Sequence, residues 1–193
     1  MTRFVDAGAV LAGWVGLGMA LTVGVSFLLV IPIEPAYWYL AIPGGLLIGY
    51  YANQRSDRRA GPWSRIMANA IYAGVITALT WAILLLAVKA IFFVADDGYR
   101  DVSQGGSLEC TVGADCVYAR YLDEGRGDEL ELEGVTDTAS FTGFYWAQQL
   151  QTAGLLVVFV MGGAVGGGLL YGILRPKQRA GPTAAPGATP PGG

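Results

Sequence analysis

The stretch MGGAVGGGLLYG, Met161 to Gly172, decides how the chain is read: six of its twelve residues are glycine, yet it sits inside a long apolar run. In water each glycine costs a helix about 1 kcal/mol relative to alanine. In a bilayer no solvent competes for the backbone hydrogen bonds, and removing side chains lets two helices approach closely. The stretch is therefore expected to be a membrane helix packed backbone to backbone. Gly162 and Gly166, Gly163 and Gly167, and Gly168 and Gly172 are GxxxG pairs, which line small residues along a helix groove.

The rest of the chain agrees. Of 193 residues, 53% are hydrophobic and 14% charged, against about 25% charged in soluble domains. Four apolar blocks, about 7–33, 36–53, 66–94 and 146–175, approach or exceed the roughly 20 residues needed to cross a hydrocarbon core. The first is too long for the apolar part of a cleaved signal peptide, and VIPIEPAYW lacks a small-x-small cleavage site. The fold expected is an all-α membrane protein, a four-transmembrane-helix bundle.

Other blocks carry complementary small residues. The third has Ala70, Gly74, Ala78 and Ala82, each four apart, and the second has Gly45 and Gly49. GGLLIG at Gly44–Gly49 also resembles GGLLYG at Gly167–Gly172, and RAGP follows both. A duplicated helical hairpin, its copies related by a twofold along the membrane normal, is one explanation; coincidence among Gly- and Leu-rich segments is the other. Pro43 is a candidate kink or break in the second helix.

Charge sets the expected orientation. Arg55, Arg58, Arg59 and Arg65 fill the second connection, and Arg175, Lys177 and Arg179 follow the fourth helix. Residues 96–145 hold twelve acids against Arg100, Arg120 and Arg126. The positive-inside rule then puts both termini in the cytoplasm and the acidic insert outside, in a plasma-type membrane. Residues 176–193, rich in Pro, Gly and Ala, are expected to be a disordered cytoplasmic tail.

Cys110 and Cys116 both fall in the insert, and their spacing suits a disulfide in an oxidising compartment. CVYARYL and ELELEGV alternate with period two, so a small stapled β-hairpin or meander is expected there. The acids do not follow the calcium-loop spacing and read as a solvated face.

No chemistry stands out. The chain has no histidine, and no glycine run is followed by the Lys-Ser/Thr of a phosphate loop. No catalytic, metal or cofactor site is expected, and no nucleic-acid partner. Lys89 is the one ionisable residue within a span; its stem can snorkel to the outer interface or pair with Glu34 in the first outer connection. Asn69, Thr77, Thr80, Gln148, Gln151 and Thr152 are expected to hydrogen-bond between helices. The function expected is a non-catalytic scaffold, assembly factor or accessory subunit, with the lipid bilayer and a membrane-protein partner or second copy as its contacts. The alternative is a small transporter or channel built from two parallel two-helix repeats.

Overall fold

The computed structural model describes residues 4–26, 36–56 and 62–174. Its elements are α1 (Ala7–Val25), α2 (Ala36–Arg55), α3 (Trp63–Ala95), a 3-10 turn (Val102–Gln104), α4 (Ala114–Asp123), α5 (Gly127–Leu132) and α6 (Thr138–Leu174). Three of them, α1, α3 and α6, are long and apolar enough to cross a membrane. α2 carries Tyr, Pro, Asn and Gln among its 20 residues, which dilute its apolar character. It runs without interruption through Pro43, whose missing N–H leaves one helical bond unmade.

The long helices form a bundle of alternating direction. α2 packs most extensively on α6; α3 packs on both α6 and α1, and α2 also meets α1 and α3. Gly13 lies level with Tyr72 and Gly24 with Leu84, so α1 and α3 run side by side in the same direction. Gly45 lies against Val160 and Gly49 against Ala164, so α2 and α6 are likewise parallel. α3 and α6 are antiparallel, with Gly74 facing Ala164 and Ala70 facing Gly168.

This arrangement does not follow the sequence similarity between the two hairpins. A twofold exchanging α1 with α3 and α2 with α6 would turn the α2–α3 contact into an equal α1–α6 contact, and α1 and α6 share no comparable contact. The matched glycines also face different neighbours. Gly45 and Gly49 face α6, whereas their counterparts Gly168 and Gly172 face Met67, Ala70 and Trp63 of α3.

The core of the bundle gathers Ala78, Trp81, Ala82, Leu85, Leu156 and Val160, with Ala20 and Ala41 at its sides. A second core lies at one end, where Phe93, Val117, Leu130, Val135, Phe141 and Tyr145 join α4 and α5 to the ends of α3 and α6. At 33 and 37 residues, α3 and α6 extend about 50 and 55 Å. Both exceed a hydrocarbon core of about 30 Å, so their ends can carry a cap.

That cap is helical. No strand occurs among the described residues, and the two segments expected to alternate as strands form α4 and α5. Val117 and Tyr121, four apart, turn inward together, as a helix requires. Leu130 is 1% exposed while Leu132, two residues on, is 88% exposed, because two residues turn a helix by about 200°. Sequences rich in Ala, Arg, Leu and Glu with few β-branched residues favour this outcome.

Candidate functional site: glycine seam, polar clasp and cap

The α2–α6 seam is built from four glycines. A Cβ on Gly45 or Gly49 would overlap the carbonyls of Val160 and Ala164; on Gly163 or Gly167 it would overlap those of Ile42 and Leu46. Each glycine thus directs a Cα hydrogen at a carbonyl of the other helix, a weak hydrogen bond of about 0.5–1 kcal/mol. The pattern is reciprocal, two carbonyls from each helix, and repeats every four residues. Gly74 faces α6 from the other side, where an added Cβ would come within 2.6 Å of the Ala164 methyl. Gly168 and Gly172 receive Ala70 and the Trp63 ring, and Ala78 and Ala82 are buried in the core. Gly162 and Gly166 stand apart, with open space where a side chain would be.

At the end of the bundle away from the cap, polar groups join three helices. The Asp6 N–H donates to Asn69 Oδ1 at 3.1 Å, and Asn69 Nδ2 donates back to Asp6 Oδ2 at 2.8 Å. Asn69 Nδ2 also reaches Asn53 Oδ1 at 3.5 Å. Asn53 Nδ2 bridges the carbonyls of Gly49 in α2 and Ile66 in α3, both at 3.1 Å. Both asparagines are fully buried, so the bonds of Asn53 are made away from competing water, while Asp6 is half-buried. Asp6 and Asn53 do not stand out in the sequence; Asn53 reads there as the polar end of a span. Thr77 and Thr80 bond within α3, to Ala73 and Ile76, rather than across to another helix.

The cap is locked to α3 at Asp96. Arg120 donates from Nη2 and Nε to the two Asp96 oxygens at 2.7 and 3.1 Å. The Gly98 N–H adds a third bond at 2.8 Å. Burial opposes the Asp96 charge, but Arg120 and the Gly98 N–H outweigh it and hold the carboxyl below its ordinary value. Arg100 pairs with Asp123, and Arg126 pairs with Glu129 at 2.9 Å while lying 4.0 Å above the Tyr121 ring. All three arginines of the insert are therefore engaged by its own acids. With twelve acids and three bases, residues 96–145 carry a formal charge of 3 − 12 = −9.

Cys110 and Cys116 form a disulfide with Cα atoms 5.0 Å apart. Gly113 (φ +99°) and Gly98 (φ +73°) take left-handed turns that bring this loop onto the end of α3, where the Gly113 N–H donates to the Asp96 carbonyl at 2.7 Å. Asp115 accepts from the Thr111 N–H at 2.8 Å and from Thr138 Oγ1 at 3.1 Å, tying the loop to α6. Phe93 stacks on Tyr145 at 4.6 Å, and Phe141 packs against Tyr118 and Tyr121. Tyr121 O–H reaches Gln148 Oε1 at 3.5 Å.

Lys89 is partly buried near the cap end of α3. Glu34, its expected partner, lies outside the described residues, as does the tail from residue 175. Among the described residues no group of acids and cysteines could hold a metal ion. No family model matches the chain, and neither a curated protein nor a solved structure matches it significantly.

Proposed function

We propose that the chain is an integral membrane protein of four spans, α2 being the fourth beside α1, α3 and α6, with both termini cytoplasmic and the cap outside. It serves as a non-catalytic scaffold or accessory subunit. The observation that carries this reading is the α2–α6 seam, whose backbone contact leaves no room between the helices for a solute. The satisfied clasp at Asp6, Asn53 and Asn69 supports a dry, rigid bundle.

The surface left for a partner then consists of the outward glycines of α6 and the cap. Native mass spectrometry after extraction in mild detergent tests this. A stoichiometric larger species, lost when Gly162 and Gly166 are changed to leucine, is expected. A lone monomer whose state those changes leave unaltered would overturn it. Gly163 and Gly167 do not serve this test, since they are spent on contact with α2.

A transporter is the second reading, and one observation favours it. Gln149, a polar residue of α6, is only 6% exposed. The α3–α6 register, with Gly74 at Ala164 and Phe93 at Tyr145, puts Lys89 at the same depth. Flux into proteoliposomes that Lys89→Ala and Gln149→Leu abolish would favour this reading over the scaffold.

A further inference from the structure

We propose that the tip of the disulfide loop, Val112, is a lipid anchor that seats the cap in the headgroup region of the outer leaflet. This rests on the reading of α3 as a membrane span.

The last turns of α3 expose Ile91, Phe92 and Val94, three large apolar side chains that would be costly in water. Their exposure places the bilayer surface at or beyond that turn. Gly113 lies against this same turn, its Cβ position 3.5 Å from the Val94 carbonyl and 3.8 Å from that of Phe93. Val112, the residue before it, is 64% exposed, leaving an apolar side chain open beside the end of α3.

Charge does not bar the tip from the headgroup region. The insert carries −9, yet residues 111–114 are Thr-Val-Gly-Ala. Asp115, beside the tip, turns its carboxylate back onto Thr111 and Thr138. The acidic parts of the cap would be repelled by anionic headgroups. The tip is also held in place beforehand, by the disulfide and by the Gly113 bond to Asp96, so little ordering entropy opposes insertion.

The test introduces benzoylphenylalanine singly at Val112, Ile83 or Leu132 of the full chain in phosphatidylcholine nanodiscs, irradiates, and reads lipid adducts by intact-protein mass. Ile83 is an exposed residue midway along α3, and Leu132 an exposed residue of α5. Adducts at Ile83 and at Val112, several-fold above those at Leu132, are expected. Adducts at Ile83 with none at Val112, or crosslinks from Val112 to protein instead of lipid, would overturn the anchor while leaving the span intact. No adduct at Ile83 would overturn the span beneath it.

Discussion

Gly49 in α2 lies against the carbonyl of Ala164 in α6, so close that even a methyl group could not be added without moving one helix. Gly49→Ala should therefore destabilise the bundle by about 1–3 kcal/mol, the usual cost of forcing volume into a filled site. Gly162→Ala meets open space and should be neutral, or stabilising by at most about 1 kcal/mol through reduced backbone freedom. Thermal unfolding of both variants in one detergent checks this contrast. Equal effects would show that the seam is not packed as described.

The Asp96–Arg120 pair makes attachment of the cap depend on pH in one direction only. Asp96 has a lowered carboxyl pKa in the folded protein, so its contribution is complete above the ordinary value of 3.8 and is lost as pH falls through the lower folded value. Hydrogen exchange across residues 98–123 should be unchanged between about pH 7 and 5, once corrected for intrinsic rates, and accelerate only below about 4. Arg120→Ala should raise that exchange at neutral pH, at a cost of about 1–3 kcal/mol for a lost charge-assisted pair. The Phe93–Tyr145 stack should remain, since it does not depend on the charge.

The long helices are legible because apolar length is read directly from composition, and the seam because glycine at four-residue spacing has few other uses in an apolar helix. Which face each glycine takes is not legible: Gly163 and Gly162 are adjacent, yet one is packed and the other open. The cap misleads because alternation over six or seven residues fits a short helix as well as a strand, as Leu130 and Leu132 show. The early start of α6 does have a signal. In Thr136-Asp-Thr-Ala-Ser140, Asp137 Oδ1 accepts from the Ser140 N–H at 2.7 Å and the serine hydroxyl receives the Asp137 N–H at 3.2 Å, a reciprocal cap. Of the polar clasp, Asn69 is legible as a polar residue within an apolar span, but its partner is not, since Asp6 and Asn69 are 63 residues apart.

Asn69 can be tested by charge alone. Asn69→Asp keeps the shape but sets a second carboxylate where Asn69 Nδ2 now donates to Asp6 at 2.8 Å. Two carboxylates so close cannot both ionise without penalty. The variant should lose stability at neutral pH and recover part of it on acidification, as one carboxyl takes up a proton. Asn69→Ala, which removes the bonds without adding charge, should lose about 1–3 kcal/mol with no such recovery. Parallel pH profiles for the two variants would show that Asp6 does not face Asn69.

Reduction of the Cys110–Cys116 bridge separates the cap from the bundle as a unit of stability. The bridge closes a short loop, for which the chain-entropy model gives about 2 kcal/mol. The loop is bonded to Asp96 at the end of α3 and, through Asp115, to Thr138 at the start of α6. None of its bonds reaches the seam glycines, whose contacts are with α2, α3 and α6 alone. Cys110→Ser/Cys116→Ser should therefore speed proteolysis within residues 98–135 and lower an early unfolding step, while main-bundle unfolding keeps its midpoint. A single transition shifted as a whole would show instead that cap and bundle unfold together, with the aromatic contacts of Phe93, Phe141 and Tyr145 as the coupling.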